Sequence, residues 1–384
     1  MTLRFAGALT LVLASVAAGQ RPPTLARLEA GTCPTCSVAL ELIATIGKST
    51  DAELIGDYGR LTSLSDGSFV VATLPSSVPL LRYDRRGAFI GTLGTLGDGP
   101  GEFRWPQSVV RARGDSISIM GQRRITTIST VSGRGRSEPV PASLDGFYHA
   151  VLGDGTVIVN IDAQHQLAFA LLTPGSSLKK QFGPKQPLLV LPNQNGRTIG
   201  DDYSNMVTLA PSLAGGIWVA SLWYDHHLQR LSGDGAVLAD VRRHPAWFQP
   251  YTYADISEKI YRLGELRTPR PPKILALGVD SVGHVFVVSR VADAHWKKDP
   301  NAPPPPPPGV EYPVQKLEPT GGIDRYVDGI LEVYDEKSGV FLGSWRSDSP
   351  LGSLTQNGLL YTQAQDSDGI TTIKVYRLRV IGAK

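Results

Sequence analysis

The chain has 384 residues with 41 glycines and 29 prolines, together about 18% against a usual share of roughly 12%. Hydrophobic residues make up 41% and charged residues 19%, so the excess marks many turns in a packed protein; no three-residue collagen period exists, and a helical bundle would not tolerate so many breakers. Basic side chains number 38 against 35 acidic ones, a net +3 too balanced to indicate a nucleic acid or an anionic membrane surface as partner.

The N-terminus reads as a leader. Arg4 precedes an apolar run of about 15 residues that ends in the small residues Ala17, Ala18 and Gly19, before polar Gln20 and Arg21. That run is shorter than the roughly 20 residues needed to span a bilayer. Residues 1–19 are therefore expected to be a signal peptide, and the mature protein to be secreted or periplasmic with no membrane span. Residues 20–37 form a lead that holds both cysteines, Cys33 and Cys36. A redox-active C-x-x-C would place its first thiol at a helix start, a haem site would need His after Cys36, and structural zinc needs four ligands. Here Cys36 runs into Ser-Val-Ala-Leu-Glu-Leu-Ile, which reads as a strand, so a small-loop disulfide is the expectation.

From residue 38 onward, turn signals recur in pairs. Gly67 and Gly87, Gly114 and Gly133, Gly155 and Gly175, and Gly215 and Gly235 each stand 19 or 20 residues apart, every first member preceding a β-branched or aromatic run. A fifth pair, Gly283 and Gly339, is stretched to 56, which implies an insertion. A sixth unit begins at Asn357-Gly358 and lacks its last strand, while Val38–Gly47 resembles an unpaired last strand. Joining the two closes a ring without an open outer position. The expectation is an all-β, six-bladed β-propeller with four-stranded blades, a single domain over 38–384 whose N-terminal strand completes the last blade.

Gly94-Thr-Leu-Gly97-Asp-Gly99-Pro100-Gly101-Glu102-Phe103-Arg-Trp-Pro106 resembles the inter-blade signature of NHL-repeat six-bladed propellers, and Gln122-Arg123-Arg124-Ile125 resembles that repeat's short turn between its second and third strands. The match covers about 40 residues; elsewhere only the strand and turn rhythm persists. The resemblance implies a likeness to exported bacterial propellers whose function is unassigned.

Long connections fall on one face, between strands d and a or between b and c. They are residues 184–206, 245–272 and 292–329. The second contains Tyr253–Gly264 with helical apolar spacing, and the third carries Pro303 to Pro308, read as an extended spacer. Long loops gathered on one face of a rigid scaffold commonly form a binding surface. Aromatic residues cluster there too: Trp105, Tyr148, Tyr203, Trp223, Tyr224, Trp247, Phe248, Tyr251, Tyr253 and Trp296, either to meet a ligand or to pack the loops onto the scaffold.

Strand starts do not assemble a lactonase-type set of one carboxylate and two amides, and Asp201-Asp202 reads as a solvated pair. No G-x-S-x-G elbow occurs. Histidines 149, 226 and 227 are the candidates for a metal, without a recognisable ligand motif. The sequence thus points to a non-catalytic exported scaffold, expected to be a monomer without cofactor, that binds a protein, peptide or carbohydrate through Arg104, Trp105, Tyr148, His149, Tyr203, Trp223 and Tyr224. The alternative is a hydrolase or lyase with zinc or calcium at the channel mouth.

Overall fold

The computed structural model describes residues 24–382, except 49, 52–54, 57, 75–77, 122, 142–145, 162–166, 186–190, 193–197, 200–206, 253–254, 256–266, 301, 303 and 305–325. Six antiparallel sheets make six blades, five of them built from strands a to d in chain order and the sixth completed by N-terminal strands. The innermost strands are Tyr58–Ser63, Ser108–Arg111, Gly146–Val151, Val207–Pro211, Lys273–Val279 and Ser353–Leu354.

One turn recurs and accounts for the first glycine of five of the six units. Leu64 N donates to Ser68 O, Leu152 N to Thr156 O, Ser212 N to Gly216 O, Asp280 N to His284 O and Thr355 N to Leu359 O. In these five hairpins the N–H of the fourth residue also returns to the first carbonyl, and that residue is Gly67, Gly155, Gly215, Gly283 or Gly358, each with positive φ. Such tight a–b turns leave strands b and c as apolar runs, buried because each blade face packs against a neighbour. Val157–Ile161 is buried at every position, and Val327–Asp335 at all but the last.

The ring closes through the N-terminal strand, as the repeat arithmetic requires. Ser37–Ile46 pairs with Thr371–Ile381 as the outer strand of blade six, from Ser37 opposite Ile381 to Ile46 opposite Ile373. The lead that precedes it is itself structured. Thr24–Arg27 adds a fifth strand outside Ser37–Ile46, and Glu29 bridges to Ser344 on blade five. Between them Cys33 and Cys36 form a disulfide, Cys36 fully buried, and Cys33 N donates to Leu342 O on blade five. The covalent loop therefore sits where blades five and six are tied together.

The glycine-rich stretch 94–103 folds as two short parallel strands, Thr95–Leu96 and Glu102–Phe103. Gly101 has φ +81°, and a Cβ there would lie 2.5 Å from Gly135 O. Phe103 is buried between blades one and two, so this motif is an interlock between blades. At the end of blade five opposite its a–b turn, strand b extends to Ala292 and strand c begins at Val327. The helical spacing at Tyr253–Gly264, apart from Asp255, and most of the prolines from Pro303 to Pro308 lie outside the described residues. Among the described residues no helix is long and apolar enough to cross a membrane.

Candidate functional site

All six strands a contribute to one central cavity of about 410 Å³. Counting back four residues from the first turn residue of blades one to four, at Leu64, Ala112, Leu152 and Ser212, lands on Arg60, Ser108, Tyr148 and Thr208, which share one tier of the lumen wall near the long-loop mouth. Arg60 stands on blade one and Tyr148 on blade three, yet the guanidinium carbon lies 5.7 Å from the Tyr148 ring centroid. The arginine therefore leans across the tier, and the ring face attracts its charge. Nearer the a–b turns, Gln356 of blade six spans the lumen: its Nε2 donates to His149 O at 2.9 Å and to Leu209 O at 3.2 Å. This strut ties blade six to blades three and four across the axis.

His149, adjacent to Tyr148, faces the blade interior as strand alternation requires. Its Nε2 lies 2.9 Å from Ser118 Oγ on blade two, and it is wholly buried. Burial drives its pKa down to about 3, with the Ser118 contact a smaller opposing effect, so the ring is neutral at physiological pH. Its Nδ1 has no partner among the described residues.

The other predicted residues fall into two further places. Arg104 and Trp105 stand on the rim of blade two, both more than half exposed, with Arg104 paired to Asp98 at 3.0 Å. Beside them a pocket of about 260 Å³ is bounded by Gly97, Arg104, Arg123 and Arg124. Trp105 has a left-handed backbone with φ 49° and Arg123 with φ 50°, costly for residues with side chains.

Trp223 and Tyr224 lie on the rim between blades four and five. Trp223 is buried beneath Lys273, whose Nζ is 4.0 Å from the ring centroid. Desolvation first, then Arg290 and Arg270, lower the Lys273 pKa to about 8. Tyr224 has φ 69° and meets Tyr251 edge-on at 5.7 Å. The described part of the aromatic cluster is thus mostly packing: Phe248 is completely buried, Trp223 nearly so, and among its described members Trp105 is the one whose ring is offered to solvent. Tyr203 lies outside the described residues.

The three candidate histidines do not converge. His226 is buried, with Nε2 2.5 Å from Glu332 Oε2 and its ring edge-on to Trp247 and Phe248. Glu332 also receives Arg243 and the Tyr334 hydroxyl, which closes a buried polar network between blades four and five. His227 instead bonds Asp240 at 2.7 Å. Among the described residues no three His, Cys, Asp or Glu side chains are grouped to hold a metal ion.

The sequence reading found the Tyr148 wall of the channel and missed Arg60 opposite it. The signal was present: both precede their hairpin turn by the same four residues, a register that strand starts alone do not reveal.

No family model matches this chain. No curated protein matches it either. Among solved structures it is similar to the Pan2 WD40 domain of Neurospora crassa, with 10% identity over 88% of this chain and 94% of that one and a TM-score of 0.43. A protein of unknown function from Bacteroides caccae shares 12% identity over 80% of each chain, with a TM-score of 0.35. Apo AztD from Citrobacter koseri shares 13% over 76% of this chain and 61% of that one, also with a TM-score of 0.35.

Proposed function

We propose that this protein is an exported, non-catalytic propeller that binds a protein, peptide or carbohydrate ligand at the long-loop mouth of its central channel. The observation that carries the reading is the channel itself: about 410 Å³, walled by all six blades and crossed by Gln356, which falls within the range of ligand pockets. That volume accommodates one sugar ring or peptide side chain, while Arg104, Trp105 and Tyr224 on the rim would meet the remainder of a larger ligand. Left-handed backbones at Trp105 and Tyr224 support a role for the rim, because strain of about 1–3 kcal/mol per residue concentrates at ligand sites. The disulfide supports passage through an oxidising compartment.

A thermal-shift screen of the purified protein against oligosaccharides and peptides tests the proposal. Hits are expected to lose affinity in Tyr148→Ala, and to a lesser degree in Trp105→Ala. A ligand indifferent to Tyr148→Ala would remove the channel from the proposal, and turnover of a hit would contradict the absence of catalysis.

A further inference from the structure

We infer that the central channel is an anion site, and that the ligand it takes presents a carboxylate or phosphate group to Arg60. The inference rests on the channel being the ligand site and adds the chemistry of what enters it. The described wall contains Arg60, Arg111 and Arg113 and not one Asp or Glu. This is a local property, since the whole chain is nearly balanced at +3.

Several arginines elsewhere in the fold are paired with acids. Arg82 pairs with Asp66, Arg243 with Glu332 and Arg346 with Asp328. Among the described residues no carboxylate lies within ion-pair distance of Arg60, Arg111 or Arg113. Acids near the turn mouth bond within their own blades. Asp66 accepts from Ser68 N, Asp154 from Thr156 N, Asp280 from Val282 N and His284 N, and Asp115 from Ser129 Oγ.

The neutral donors of the wall are partly committed as well. Gln356 is held by two carbonyls, Thr62 donates to Val109 O and Ser63 to Asn357 Oδ1. What remains on the upper tier is the half-buried guanidinium of Arg60, steadied by Tyr148, with the Ser108 hydroxyl on the blade between them. A planar guanidinium offers two parallel N–H groups to a carboxylate or phosphate, and apolar walls such as Leu61, Leu209 and Ala276 strengthen its field. Arg111 ends the equivalent strand, about 10 Å deeper at 3.3 Å per residue, and Arg113 follows in the a–b turn of blade two. Both line the same cavity below Arg60.

Calorimetric titration of the full chain with citrate and, separately, with pyrophosphate at about 20 mM salt tests the inference and distinguishes the two anion chemistries. At least one anion is expected to bind with one-site stoichiometry and to weaken at about 200 mM salt. Arg60→Gln should lower its affinity at least tenfold without changing the melting temperature, Arg60→Lys should retain part of it, and Arg86→Gln, the same charge change on an exposed turn, should leave it unaltered. Absence of binding by both anions, or equal loss in Arg60→Gln and Arg86→Gln, would overturn the anion site. A neutral sugar or peptide that still requires Tyr148 would then leave the channel-ligand reading intact.

Discussion

Removing the side chain that locks the N-terminal strand into blade six gives the most demanding test of the closed ring. Ile46 ends that strand, opposite Ile373, and is wholly buried among Ile55, Leu61, Phe69, Val71 and Tyr361, where blades six and one meet. Ile46→Ala leaves a void in a wall that strands on both sides hold fixed, so the cost should fall near the middle of the range for such truncations, about 3 kcal/mol. Leu42 lies on the same strand but is 48% exposed, and Leu42→Ala should cost under about 1 kcal/mol. Val38, wholly buried at the other end between blades five and six, should lose about 2 kcal/mol as Ala. Those two ends are about 27 Å apart along the strand, so the double variant should be additive within about 0.5 kcal/mol. Urea titrations followed by tryptophan fluorescence read these differences. Equal midpoints for Ile46→Ala and Leu42→Ala would refute the claim that this strand closes the ring.

Further outcomes follow from the same physical arguments. Reducing the Cys33–Cys36 bond, whose sequence separation is 3, should cost about 2 kcal/mol by loop entropy, measurable as a midpoint shift that Cys33→Ser/Cys36→Ser reproduces. His149 is held neutral to about pH 3, so between pH 6.5 and 3 the unfolded chain binds a proton the folded chain does not; stability falls as pH drops through that window, and His149→Gln should flatten the slope. Lys273, lowered to about 8, should be acylated with a midpoint near pH 8, and Trp223→Ala should move that midpoint upward by admitting water. Gly101→Ala should destabilise the blade one–two interlock, because its Cβ would meet Gly135 O from a left-handed backbone.

Architecture was legible because the recurring a–b turn imposes one residue type at one place. Gly67, Gly155, Gly215, Gly283 and Gly358 all close the same hydrogen-bonded turn, and in blades one, three and four the second turn glycine follows 20 residues later, although the loops between blades vary in length. The missing outer strand of blade six was legible for a related reason: a ring leaves no stable open position. The fifth strand was not, since Thr24–Arg27 is short, its Leu25 is 63% exposed, and its conformation is dictated by Ser37–Leu40 beside it. At the candidate site, strand starts identified the neighbourhood but not the direction of each side chain. Tyr148 and His149 were named together, and alternation sends one to the lumen and the other inward to Ser118. His226 likewise follows a rim loop yet serves Glu332 on the next blade, a long-range partner that spacing does not encode.

The central claim is that the ligand sits inside the ring of strands. Ser353→Trp places a large side chain in the lumen wall at the start of blade six, away from the rim residues. Titrated beside the wild-type protein with the same ligand, the folded variant should show no saturable binding while the wild type binds one equivalent. Equal affinity in the two proteins would contradict the account.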